Sequence, residues 1–381
     1  MINHRETSLS KLVSLRAKRS NLFRVEKIAS SSLRSAPPRN DTKYNKTGSI
    51  LIMVLWILVF LSVLAVSLGV KVRQRIILMN RLESRDKLQL IAESGIRKAI
   101  VLLNQDIEQS EAQFTSEAKA LRFNNEKEFA SMNLRDGTVA VSYEYSDGPG
   151  YLAVKRFGVV DEESKINLNK APEMVLRSLI KTVLGIDEPQ GHDLAQAIVD
   201  WREVTEGELK GFYSDSYYDN LQDPYPPKKA DFEIIDELLL VKGFDAPRFK
   251  RLSPYLTVYG EGRVNINTAS RPVLIALGME GELADKVLFA RRGEDGIEST
   301  SDDYVFQGTD NIVNELKGFV ELNDSQSAVI DQLNQQEKFV TNSKHYAIRA
   351  EGKLNNSASS TIITCVFNTQ ESKIEYWKED Q

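Results

Sequence analysis

The sequence predicts an α+β protein: a long N-terminal helix packed on an antiparallel sheet, with a large all-α domain inserted into that sheet. Three observations point there. Ile50–Val70 runs 21 residues without a charge, and apolar residues then continue at helical spacing to Asn104. Segments that alternate like half-buried strands stand on either side of the middle of the chain. Between them, an asparagine motif occurs twice and opens a helical stretch each time.

Ile50–Val70 spans about 30 Å as a helix, the thickness of a bilayer's hydrocarbon core. Beyond it, Val72, Ile76, Met79 and Leu82, then Leu88, Ile91, Gly95, Ala99 and Leu102, form one apolar stripe. No proline interrupts Lys71–Asn104, so Ser49–Asn104 is expected as a single rod of about 84 Å. Residues 1–47 carry eleven Lys/Arg against three Asp/Glu, and the remainder sums to a net −13. That asymmetry places the N-terminus in the cytoplasm and the acidic body across the membrane. Ser30–Asn40 reads as linker.

An acidic body argues against a nucleic-acid partner, whose phosphates take their affinity from Lys and Arg. Cys365 is the only cysteine, which excludes an intramolecular disulfide and a Cys-based zinc site. His4, His192 and His345 are too scattered for a histidine metal site or charge-relay triad. Phosphate-loop, HExxH, GxSxG and dinucleotide signatures are missing, so no enzymatic activity is expected.

Thr138–Tyr145 and Tyr151–Val160 read as strands before the helical middle, and Tyr346–Glu351 and Thr361–Asn368 as strands after it. The repeated motif is Ile166-Asn167-Leu168-Asn169-Lys170-Ala171-Pro172, then Val264-Asn265-Ile266-Asn267-Thr268-Ala269-Ser270. Asn169 and Asn267 are expected as helix N-caps, since a short polar side chain there accepts from the orphan amides of the first turn. Glycine turns at Gly185, Gly243 and Gly278 lead into Ala195–Arg202, Arg248–Leu256 and Ala284–Arg291, a pattern resembling helix-hairpin-helix units. Asp187, Glu188, Asp245, Glu280 and Glu282 in those turns would repel phosphate, so the hairpins are expected as scaffold.

The N-terminal pattern of basic leader, glycine and apolar helix (Thr47-Gly48-Ser49-Ile50-Leu51-Ile52-Met53) resembles type IV pilin-like proteins. Most of that superfamily has glutamate five residues after the cut; Met53 stands there here. That departure is the habit of one branch, the type II secretion system protein K family. Ile50–Leu58 and Ile91-Ala92-Glu93-Ser94-Gly95-Ile96-Arg97 resemble the same branch. So do Ile166–Asn169, Val199-Asp200-Trp201-Arg202, the acidic aromatic stretch Glu203–Tyr225, Asp236-Glu237-Leu238 to Gly243, and Asn265–Ala269, in that order. The resemblance covers Gly48 to about Trp377.

The resemblance implies a pilin-like sheet carrying the helical insert, and prepilin peptidase cleavage at Gly48–Ser49 followed by N-methylation. It divides the chain into a leader (1–48), a membrane-spanning part of the helix (49–70), an amphipathic helix with first strands (71–165), a helical insert (166–335) and C-terminal strands (336–381). It implies a minor pseudopilin at the tip of the type II secretion pseudopilus, in the inner membrane, with minor pseudopilins I and J as partners. It also implies calcium in the insert. Glu203, Glu206, Glu208, Asp215, Asp219 and Asp223 could supply oxygens, with Glu203, Asp215 and Asp219 the candidate ligands. The alternatives are a minor pilin of a type IV pilus-like system and a membrane-tethered DNA-binding protein.

Overall fold

The computed structural model describes residues 47–109, 115–203, 216–355 and 358–380. It falls into two units that divide after Lys71. Of the first unit, the described part is the start of helix α1 (Thr47–Gln109). Ile50–Val70 lies entirely within this helix, with every side chain exposed, as a segment surrounded by lipid requires. α1 begins before the expected Ser49 and ends after the expected Asn104.

The second unit, from Val72, begins in α1 and continues into α2 (Ser116–Phe123) and α3 (Glu126–Phe129). Strands β1 (Met132–Asn133), β2 (Gly137–Tyr145), β3 (Val154–Phe157) and β4 (Val160–Asp161) follow. The helical middle comprises β5 (Ile166–Asn167), α4 (Glu173–Leu184), α5 (Glu188–Arg202), α6 (Ser216–Asp219), α7 (Ala246–Leu252) and β6 (Leu256–Thr257). It continues with β7 (Val264–Asn265), α8 (Arg271–Ala276), α9 (Gly281–Arg291), α10 (Ile312–Lys317), α11 (Asp324–Gln335) and β8 (Phe339–Val340). Strands β9 (His345–Leu354), β10 (Ser360–Asn368) and β11 (Lys373–Asp380) close the chain.

The main sheet is antiparallel, in the order β1-β2-β9-β10-β11, with β3 added to β2 and β4 to β9. The pairing Asp161↔Tyr346 brings the chain back beside the strand it left before the helical middle began. The expected strand Tyr151–Val160 is two short strands, and β11 is an element the sequence reading did not include. Its residues are almost all exposed, so no alternation marks it.

Two hydrophobic cores are present among the described residues. In one, Ile91, Ala92, Ile96, Ala99 and Leu103 of α1 lie against Val139, Val141, Ile348, Ala350, Ile363 and Phe367 of the sheet. Gly95 is required where helix and sheet meet: a Cβ there would stand 2.6 Å from Val139 Cγ2. Gly352, facing it from β9, would place a Cβ 2.9 Å from the backbone nitrogen of Ala92. The other core belongs to the helical middle and runs from Ile166 to Phe339.

Candidate functional site

The helical middle is two copies of one module. In each, a two-residue strand opens the module, two helices follow, and a later helix returns to a second two-residue strand lying parallel to the first. Ile166 pairs with Leu256 and Val264 with Phe339. The asparagines build both copies alike. The side-chain oxygen of Asn167 accepts from the Asn169 amide at 2.8 Å, and that of Asn265 from the Asn267 amide at 2.9 Å.

The expected capping role of Asn169 and Asn267 is corrected. The residues before α4 and α8 are Pro172 and Ser270, and neither makes a side-chain cap bond. Asn169 instead forms a two-way bridge to Phe232: its Nδ2 donates to the carbonyl at 2.9 Å and its Oδ1 accepts from the amide at 2.7 Å. Asn267 makes the same bridge to Phe306, at 2.9 and 2.8 Å. A capping side chain serves only its own first turn, whereas an amide carries both donor and acceptor and can pair a whole peptide edge. Side-chain caps occur instead on other helices, where two of the hairpin acids supply them: Asp187 at the start of α5 accepts from Gln190 N at 3.1 Å, and Asp245 at the start of α7 from Arg248 N at 2.9 Å.

An arginine completes each module. Arg202, ending α5, donates to the carbonyls of Leu168 and, at 2.9 Å, Ala171. Arg291, ending α9, donates to Ile266 O at 3.0 Å and Ala269 O at 2.7 Å. The sequence reading missed this role. The signal was available, because both arginines end the second helix after their motif.

The modules differ in what holds the arginine. Arg202 pairs with Glu203, which is largely exposed. Arg291 pairs with the buried Glu298, and Glu298 in turn meets Lys119 of α2 at 3.0 Å. Lys119 is completely buried and lies 2.5 Å from Asp303. Burial alone would push the Glu298 carboxyl up, but the charges of Arg291 and Lys119 outweigh it and bring its pKa down to about 2.

A second polar junction joins the sheet to the modules through three consecutive buried acids, Asp161, Glu162 and Glu163. Asp161 Oδ2 accepts from Asn265 at 2.9 Å, Thr268 at 2.5 Å and Ser343 at 2.7 Å. Glu162 takes Thr257 at 2.6 Å and Lys165 at 2.5 Å. Glu163 holds the His345 ring at 2.7 Å and the His345 amide at 3.1 Å. Burial, reinforced by the charge of Glu163, raises Asp161 to about 7. Burial would lower His345, yet Glu163 and the neighbouring carboxylates raise it.

Of the calcium candidates, Glu203 is bonded to Arg202, Asp219 is exposed on α6, and Asp215 lies outside the described residues. Among the described residues, no group of three or more acidic, histidine or cysteine side chains could hold a metal ion. The described residues therefore do not by themselves assemble the expected site. Aromatic residues of the same stretch serve packing: Tyr218 and Tyr225 close on Trp201 together with Phe232. Gly48 and Ser49, the candidate cleavage bond, lie in the first turn of α1.

Comparison with known proteins converges on one group. Residues 157–261 match the family model described as type II secretion system (T2SS), protein K. The type II secretion system protein K of Dickeya chrysanthemi is 32% identical over 126 residues, covering 31% of this chain and 34% of the relative. That of Aeromonas hydrophila is 31% identical over 100 residues, covering 26% of this chain and 30% of the relative. The matched region is thus about a third of the length of these curated relatives. A chain in the crystal structure of the GspK–GspI–GspJ complex from the enterotoxigenic Escherichia coli type 2 secretion system shares the fold. The TM-score is 0.56 at 14% identity, over 80% of this chain and 99% of that one. The family match thus takes in the first module, and the fold of the solved structure is shared along most of the chain.

Proposed function

We propose that this chain is a minor pseudopilin at the tip of the type II secretion pseudopilus, a structural subunit rather than an enzyme. The observation that carries the reading is the combination in one chain of α1, apolar and long enough to cross a membrane, with a sheet that packs on α1 and a double helical module between two strands of that sheet. The helix anchors the subunit in the inner membrane with the body in the periplasm. Residues 1–48 are a leader removed by prepilin peptidase at Gly48–Ser49. Minor pseudopilins I and J are the partners, a reading supported by the neighbour's crystallisation with GspI and GspJ.

Met53 fits a tip position. In stacked pilins a carboxylate at this place pairs with the terminal amine of the next subunit toward the tip, and a tip subunit has no such neighbour. The test is the N-terminal sequence and mass of the membrane-extracted chain, with and without prepilin peptidase, followed by capture of the two partners. A chain beginning at Ser49 only with the peptidase, and retaining both partners, is the expected result. An uncut chain that binds neither overturns the reading.

Calcium in the acidic segment 203–223 belongs to this proposal, on the strength of its six carboxylates. Calorimetric titration of the metal into the full chain, repeated with Asp215→Ala, checks it: heat of binding that the substitution abolishes is expected, and no heat in the unaltered chain overturns it.

A further inference from the structure

We propose that Arg73, Arg75 and Arg81 form a cationic collar on α1 that binds anionic phospholipid headgroups at the periplasmic face of the bilayer. The proposal rests on the anchor reading above and adds a ligand to it. The charge-free run ends at Val70, and the polar layer on each side of a ~30 Å hydrocarbon core is roughly 5–7 Å thick. At about 1.5 Å per residue, that layer takes up roughly three to five residues, which puts Arg73 and Arg75 at the level of the phosphates. Arg81 lies roughly 9 Å further on, within reach of the surface potential and with a long stem that can bend back to it.

The local chemistry is one-sided. All three arginines are exposed. No carboxylate occurs from Lys71 to Leu82, and the next one, Glu83, is paired with Lys87 at 2.7 Å. Val72, Ile76 and Met79, also exposed, alternate with the arginines, as in a segment lying at a lipid interface. Guanidinium binds phosphate oxygens through a planar pair of N–H donors. Residues 48–381 as a whole carry a net −13, which an anionic surface repels, so attraction to lipid headgroups has to be local. An attractive collar beneath a repelled body holds the helix at a fixed depth.

The test reconstitutes the full chain in phosphatidylcholine vesicles containing phosphatidylglycerol, then counts retained lipids by native mass spectrometry after gentle extraction. The unaltered chain is expected to keep phosphatidylglycerol in preference to phosphatidylcholine. R73Q/R75Q/R81Q is expected to lose that preference, by about fivefold per arginine, and R73K/R75K/R81K to retain most of it. Because the three side chains lie outside both hydrophobic cores, the glutamine variant keeps the unaltered melting temperature. Equal preference in the chain and its glutamine variant overturns the collar, and would assign these arginines to an acidic protein neighbour. Alkaline carbonate extraction of the same vesicles separates the two ideas: a chain released by carbonate overturns the anchor itself, whereas a retained chain without lipid preference overturns the collar alone.

Discussion

Replacing Lys119 with methionine removes a buried cation that α2 sends into the second module. The side chain is fully buried, and Glu298 and Asp303 at its tip are buried too. Breaking a buried ion pair from one side costs about 3–5 kcal/mol, because the abandoned charge stays desolvated. Glu298 gives a second route to the magnitude. Its pKa falls from 4.5 to about 2 on folding, which corresponds to about 3 kcal/mol of favourable charge interaction. Arg291 supplies part of that and remains in K119M, so Glu298 alone accounts for less than the whole penalty. Asp303, left with the Ser299 amide at 2.8 Å and the Thr300 hydroxyl at 3.1 Å, supplies the rest.

The expected total is about 3 kcal/mol, roughly 6–12 °C in melting temperature for a domain of this size. The assay is thermal unfolding of the detergent-solubilised chain followed by circular dichroism, with K119M, E298Q and the double variant forming a cycle. A coupling energy of about 1–3 kcal/mol is expected, since the two groups touch. The sign of the pH dependence is a further check. A lowered carboxyl pKa gives stability that is present above pH 4.5 and lost as pH falls toward 2, and E298Q removes that part of the acid slope. A K119M penalty below about 1 kcal/mol, or a coupling near zero, would refute the argument that this cluster joins α2 to the second module.

Asn267→Ala leaves the Phe306 amide and carbonyl without partners in the core and is expected to cost about 2–3 kcal/mol, while Ser270→Ala, at the residue preceding α8, costs almost nothing; chemical denaturation distinguishes them. Gly95→Ala forces α1 away from Val139 and is expected to lower stability by about 1–3 kcal/mol, and Gly352→Ala by more, because its obstacle is backbone; melting curves rank the two. Asp161 and His345 are both raised in the fold, so each contributes stability that is full below its ordinary pKa and lost as pH rises through the folded value. The Asp161 part of this makes the melting temperature fall as pH rises from about 4 to about 7, and D161N is expected to flatten that slope.

Periodicity made the frame legible because the frame buries one side of each element. The stripe through Ile91, Gly95 and Ala99 in α1, and the alternation in β2 and β10, are what a helix packed on a sheet writes into a sequence. β11 carries no such record, since neither of its faces is buried. The duplicated motif was equally visible, but its asparagines were assigned to a local role when their partners are remote: Asn169 reaches 63 residues along the chain and Asn267 reaches 39. Local capping rules see only the next three residues, so they cannot register a bridge that the fold creates.

The buried charges escaped for a different reason. Asp161, Glu162, Glu163 and Lys119 belong to residue types that default to the surface, and each is tolerable inside only because a partner far away in sequence arrives at bonding distance. Asp161 depends on Ser343, 182 residues on. Both polar junctions bind the second module to the sheet side of the fold, one through Lys119 and the other through Asn265 and Thr268, whereas the first module is tied to the acidic junction through the Thr257 hydroxyl on Glu162. The first module's arginine is paired with an exposed glutamate rather than a buried one. The second module is therefore expected to unfold with the sheet, and the first to open at lower cost. Hydrogen exchange tests this ordering: amides of α4 and α5 should exchange before those of α8 and α9, and the reverse order would show that these buried charges do not set the relative stability of the two copies.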